Sequence, residues 1–335
     1  MKFLTRYLVF LIFFIDAHAN IHMGIVSNSG YCGERELAWR IKIAAESLGW
    51  KVYLDERKGR NLKKIKDLDF VLCLLPYNRH LKPNCPNYLT IFHPFNYIDK
   101  EGNLESFYDQ YDGYLLTIKQ NESITNSLKK KKKEQVCISF YPTVQRIEYK
   151  KIALNNLVTM IPVWGNRLTD EKFKNLYKLL SQTGFVKFYG VDRNEKIIQD
   201  GYMGEIPFDG SSVIDILQKH GIVLILHSDI HNLAGVPSSR IFEAAAASTV
   251  VISDENSFVK EHFADTVFYI DTSLPAVQIY QQIQAHMNTI RLNPENALAM
   301  AEKAHRIFTD KFLMTEQLLK LETLHNKIKS QKLLK

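Results

Sequence analysis

Cysteine is scarce: the chain has four in 335 residues, at positions 32, 73, 85 and 137. Residues so far apart offer neither a disulfide framework nor a zinc site, and Cys73 and Cys137 fall in apolar, strand-like runs where a thiol serves as a small hydrophobe. There is no low-complexity linker and no short repeat. No P-loop, Ser-His-Asp elbow or Cys-His pair is present. The turn Ser27-Asn28-Ser29-Gly30-Tyr31-Cys32-Gly33 lacks the G-x-G-x-x-G spacing of a dinucleotide site. Base-reading and stacking motifs are absent as well, so nucleic acid is not an expected partner. The charge imbalance is mild: 43 Lys and Arg against 36 Asp and Glu give +7. That excess favours phosphate-bearing ligands or anionic headgroups over acidic surfaces. Its longest basic run, Lys129 to Lys133, reads as the solvated end of a helix, with contact to a membrane surface as the second reading.

What is there is enough apolar residue, 46%, to bury real cores in a chain longer than one typical domain. Residues 1–19 resemble a secretory leader: Lys2 and Arg6 precede the apolar run Tyr7 to Ile15, and Ala17-His18-Ala19 has the form of a cleavage site. The run is too short to span a bilayer comfortably. An uncleaved anchor and a start at Met23 are the competing readings, and the latter would clip a strand. The localisation expected is exported or membrane-anchored, or cytoplasmic if the leader is not functional. Beyond it, short β-rich runs alternate with amphipathic helices, the pattern of parallel sheets covered on both faces. One series of strands, starting at Ile21 to Ser27, occupies residues 20–150. A second series, starting at Leu157 to Trp164, occupies 151–335 and ends in three long helical segments. The expected fold is α/β, with two Rossmann-like lobes, a short hinge near 145–156 and a working cleft between the lobes.

The richest stretch is Gly235-Val236-Pro237-Ser238-Ser239-Arg240-Ile241-Phe242-Glu243 with four alanines and Ser248, followed by an apolar strand. Pro237 and Ser238 mark a helix start, whose first-turn N–H groups form an anion site at the carboxyl end of a strand. Ser239 and Arg240 lie in that turn, where a basic side chain is disfavoured unless an anion is bound. Glu243 follows one turn on, and the alanines let the helix press close to the sheet. Trp164-Gly165-Asn166-Arg167 ends the first strand of the second lobe. There Gly165 permits close backbone approach, and Arg167 can pair with negative charge developing on a leaving group. His93 ends a first-lobe strand and faces the cleft. His227-Ser228-Asp229-Ile230-His231 has alternating donors that suggest a metal, weighed against a plain polar cleft loop. Asp67-Leu68-Asp69 precedes a strand instead of ending one and is set aside as a decoy.

The stretch from about residue 157 to 272 resembles the donor-site region of family 1/4-type glycosyltransferases of the GT-B fold, in particular the CgeB/YkvP-like group. It does so through Arg240-Ile241-Phe242-Glu243-Ala244, then Ser253-Asp254, Glu261-His262-Phe263 and Val267-Phe268-Tyr269. The resemblance implies a metal-independent, retaining transferase that uses a nucleoside diphosphate-sugar as donor substrate and no cofactor. In it Glu243 holds the donor ribose and Arg240 neighbours the phosphates, while Gly165 and Arg167 match the Gly-Arg loop and His93 a sugar-contacting histidine. The acceptor is a glycan, a lipid-linked molecule or a protein. One departure stands out: Gly235 sits where many retaining members carry an acidic residue. A two-lobed periplasmic binding protein and an inactive GT-B scaffold are the alternatives.

Overall fold

The computed structural model describes residues 21–30, 33–75, 85–92, 110–117, 122–130, 136–161, 167, 169–191, 198 and 200–333. The leader, Cys32, His93 and Trp164 to Asn166 therefore lie outside the described residues. The first series of elements is β1 (His22–Val26), α1 (Gly33–Ser47), β2 (Lys51–Asp55), β3 (Phe70–Cys73), β4 (Asn87–Ile91), β5 (Gly113–Leu116), α2 (Glu122–Lys130) and β6 (Cys137–Ser139). The second is β7 (Asn156–Met160), α3 (Glu171–Ser181), β8 (Val186–Tyr189), α4 (Ser212–His220), β9 (Gly221–Ile225), α5 (Asp229–Ala234), α6 (Ser239–Ala246), β10 (Val250–Asp254), α7 (Ser257–Phe263) and β11 (Val267–Ile270). Three helices close the chain, α8 (Ala276–Leu292), α9 (Pro294–Lys311) and α10 (Met314–Leu333).

Each series builds one parallel sheet, in the orders β2-β1-β3-β4-β5-β6 and β11-β10-β9-β7-β8. Side chains alternate across a strand, so a sheet covered on both faces must be apolar at every position. In β3, Phe70 and Leu72 enter one core while Val71 and Cys73 enter the core on the opposite face. In β9, Val223 and Ile225 divide in the same way from Ile222 and Leu224. Cys73, Cys85 and Cys137 keep free thiols, and burial pushes the Cys73 thiol up to about 12.

The chain changes lobes earlier than expected. Phe140 belongs to the first core and Tyr141 to the second, and the chain returns between Leu313 and Met314. Helix α10 then lays Leu318, Leu321, Leu324 and Ile328 on the first sheet beside α1. A division at 150/151 places this helix with the second lobe, whereas its apolar face packs on the first. Sequence order misleads here because a helix docks wherever a complementary face is open. The two crossings are tied by Met314 N–H donating to Val144 O at 2.9 Å. Phe312 stands at the crossing, with its ring 5.5 Å from Tyr141, 5.3 Å from Phe242 and 5.8 Å from Phe263.

The turn into β9 rests on one glycine. Gly221 caps α4 at φ 84°, and a Cβ there would lie 2.1 Å from the Ala153 carbonyl oxygen. Left-handed backbone and a backbone clash combine, so Gly221→Ala is expected to lower unfolding free energy by about 2–4 kcal/mol in urea titration.

Candidate functional site at the carboxyl ends of the second sheet

In the second sheet β8 lies on one side of β7 and β9 on the other, so the winding reverses between β7 and β9. Such a reversal leaves a crevice at the carboxyl ends of the two strands, where ligands of such sheets bind. Arg167 follows β7, His227 follows β9, and Asp254 ends the neighbouring β10.

These three side chains form one buried cluster around Asp254. Its Oδ1 accepts from His227 Nδ1 at 2.6 Å. Its Oδ2 accepts from the His227 backbone N–H at 2.8 Å, Asn232 Nδ2 at 2.9 Å and Arg167 Nη2 at 3.2 Å. Burial by itself would raise this carboxyl, but the hydrogen bond and charge of His227, the Arg167 charge and the Asn232 bond outweigh it and hold it below its usual range. Arg167 shifts the other way. Burial pulls the guanidinium below its usual value, and the charges of Tyr177, Asp254 and Asp229 only partly restore it. Its Cζ stands 4.8 Å from the Phe173 ring centroid. The expected charge contact of Arg167 is thus occupied from below by Asp254, and the side chain is 2% exposed. Asn256 extends the network, donating to Asn232 Oδ1 at 3.0 Å and to Val236 O at 3.1 Å, which holds the loop entering α6.

The alternation expected for His227 to His231 is not the local geometry. Ser228 caps a helix with its hydroxyl, so Asp229 and His231 lie in α5 instead of alternating along a strand end. Among the described residues no group of three His, Cys, Asp or Glu side chains is placed to hold a metal ion. Gly235 closes α5 at φ 62°, where a Cβ would come 2.6 Å from Ser257 Oγ. The departure at this position thus has a local cause: any side chain here carries left-handed strain and meets Ser257.

Helix α6 starts as expected. Ser238 is its N-cap, its Oγ accepting from Arg240 N–H at 3.3 Å, and Ala244, Ala245, Ala246 and Ala247 are fully buried. Arg240 is 35% exposed and reaches Glu243, its Nη1 donating to both carboxylate oxygens at 2.8 and 2.7 Å. Glu243 is fully buried and takes a second arginine from the other lobe, with Arg40 Nη2 2.7 Å from its Oε1. Arg40, on α1, also donates to Glu36 Oε1 from Nε at 3.1 Å and Nη2 at 2.9 Å. Glu36 Oε2 in turn accepts from Gly210 N–H at 3.1 Å, across the lobe boundary. Burial alone would raise the Glu243 carboxyl, but the charges and hydrogen bonds of Arg240 and Arg40 bring it down to about 2. Arg40 moves up, the two glutamates overriding its own desolvation.

Sequence reading missed Arg40 and Glu36. A signal was present: both lie on the α1 face that buries Leu37, Ile41, Ala44 and Ala45, and a charged pair one turn apart on an apolar face requires a buried partner. Of the site residues expected, Ser238, Ser239, Arg240 and Glu243 come together at the start of α6, and Arg167 lies in the Asp254 cluster. Gly165 and His93 fall outside the described residues.

Residues 173–322 match a protein-family model described as glycosyl transferase-like. No curated protein matches the chain. Among solved structures, an alpha-glucosyltransferase in complex with UDP superposes with a TM-score of 0.62 at 10% identity, over 92% of this chain and 99% of that one. Anabaena HepE in complex with UDP and glucose gives 0.55 at 10% identity, over 91% and 100% of the two chains. A glycosyltransferase from Rickettsia africae ESF-5 gives 0.52 at 12% identity, over 92% and 98%. The fold is that of these two-lobed enzymes.

Because the Glu243 pKa is depressed on folding, its ion pairs stabilise the native state above the usual carboxylate range and cease to do so as pH falls towards 2. Unfolding free energy at pH 7 should therefore exceed that at pH 3, and Glu243→Gln should flatten this slope. Arg40→Met, which leaves Glu243 with one arginine, should cost about 3–5 kcal/mol in the same titration. In the Arg40→Met, Glu243→Gln double variant part of that cost should return. Additive losses would show that the pair does not couple the lobes.

Proposed function

We propose that the protein is a glycosyltransferase that moves a sugar from a nucleoside diphosphate donor to a hydroxyl-bearing glycan, lipid-linked or protein acceptor. The observation that carries this reading is the α6 entrance. A capped helix N-terminus, a half-exposed arginine and a buried glutamate stand beside the crevice of a sheet whose relatives in fold were solved with UDP. The match of 173–322 to a glycosyl transferase-like family supports the same reading.

In the reaction proposed, the acceptor oxygen forms a bond to the anomeric carbon as the bond from that carbon to the β-phosphate oxygen breaks. The electron pair leaves on the diphosphate, and the departing phosphate oxygen takes up the proton that the acceptor hydroxyl releases. Arg240 and the first-turn N–H groups of α6 are arranged to take up that charge, and backbone dipoles fixed in advance cost no reorganisation during the step. Arg167 adds positive potential from beneath the crevice. Glu243 is fully buried beside its two arginines, so ribose hydroxyls reach it only where one of them moves aside. Arg240 is the one free to swing, being partly exposed while Arg40 is 1% exposed. Retention of configuration, operation without a metal and membership of the CgeB/YkvP-like group complete the proposal and rest on the motif of α6.

The test is thermal stabilisation of the chain lacking residues 1–19 by UDP, GDP, ADP and TDP and their sugars. One nucleotide is expected to raise the melting temperature. Arg240→Ala should weaken its binding by about tenfold to a hundredfold, as for loss of hydrogen bonds to a charged group. Stabilisation by free sugars alone would instead support a binding protein, and no stabilisation by any of them would support a scaffold.

A further inference from the structure

His227 packs against the buried carboxylate of Asp254 at the carboxyl end of β9. Its ring is fixed at one end only. A carboxylate accepts and does not donate, so the 2.6 Å contact to Asp254 places the proton on Nδ1. The backbone N–H of the same residue also binds Asp254, at 2.8 Å, so ring and main chain are locked together. Nε2 then projects from the far side of the ring. It is buried and has no hydrogen-bond partner among the described residues, and the same is true of Arg167 Nε. Two nitrogens on side chains that share one carboxylate are thus both left open, although His227 is 1% and Arg167 2% exposed.

Buried polar nitrogens are ordinarily satisfied, and two orphans in one cluster mark a place where a further group belongs. The position narrows what that group is. His227 and Arg167 leave the carboxyl ends of β9 and β7, the two strands between which the winding reverses. The Asp254 network also supports the loop into α6, through Asn232, Asn256 and the Val236 carbonyl. Arg167 offsets the single charge of Asp254 and leaves its Nε–H open as a donor, so the cluster fits an oxygen that accepts hydrogen bonds.

The geometry points to His227 as a further residue of the donor site: positioned by Asp254, its Nε2 meets an oxygen of the donor diphosphate. This assignment rests on the nucleotide-sugar reading and adds to it a diphosphate contact from β9. Asp254 acts through the histidine and is a positioning residue.

Two replacements separate the ring nitrogens. His227→Asn keeps an N–H donor where Nδ1 stands, towards Asp254, and deletes Nε2. His227→Gln carries its amide out to the place of Nε2 and gives up the bond to Asp254. Binding of UDP, GDP, ADP and TDP, and of the four matching nucleosides, is measured by calorimetry on wild type and both variants. For the diphosphate that wild type selects, His227→Asn should lose about tenfold to a hundredfold in affinity. Its nucleoside affinity and its ligand-free melting temperature should remain those of wild type. His227→Gln should melt lower yet keep more diphosphate affinity than His227→Asn. Unchanged diphosphate binding in His227→Asn, or equal losses for diphosphate and nucleoside, would overturn the assignment while leaving the donor reading in place. Failure of wild type to bind any of the four diphosphates would overturn both.

Discussion

A carboxylate fully removed from water must be neutralised, and the group that does so for Glu243 of the second lobe comes from the first. Arg40 reaches it from α1 at 2.7 Å, and Glu36, which steadies Arg40, also holds the backbone of Gly210 in the second lobe. The chain of contacts runs from lobe to lobe and back, and each member is needed to keep the next one paired. Such a cluster adds little net stability against an apolar replacement of the same shape, yet losing one partner strands a buried charge. Its effect is selectivity: it admits one relative placement of α1, the 210 turn and α6. The close fit of Gly210 against α1, where a Cβ would meet the Arg40 backbone nitrogen at 3.1 Å, requires the same placement.

A second buried carboxylate organises the crevice itself. Asp254 gathers the residues that follow β7 and β9, together with the loop entering α6, so elements distant in sequence share one anchor. The two clusters differ in kind. Around Glu243 both carboxylate oxygens are paired with arginine. Around Asp254 the side-chain nitrogens of His227 and Arg167 are left open.

Much of the architecture was legible before any coordinates. The strand at Ile21 to Ser27 appears as His22–Val26 and the closing segments as three helices, because each carries a strong local period. The start at Ser238 and the small-residue face of α6 were readable for the same reason, since capping and close packing are properties of neighbouring residues. The lobe assignment of the last helix was not readable. Its apolar face is equally visible whichever sheet it covers, and only the open face of the first sheet decides. The Asp254 cluster was hidden too, since Arg167 and Asp254 are 87 positions apart.

By itself the sequence determined the α/β class, two sheets of nearly continuous apolar strands, and the residue types at the mouth of one helix. These follow from periodicity and capping, which act over a turn or a strand. Tertiary structure alone decided which charges face one another. It gave Glu243 to Arg40 across the lobe boundary and Asp254 to His227 and Arg167, and it turned Gly235 from a missing acid into a helix terminus. The reason is physical: pairing of buried charges depends on distances that chain folding creates and that no local pattern encodes.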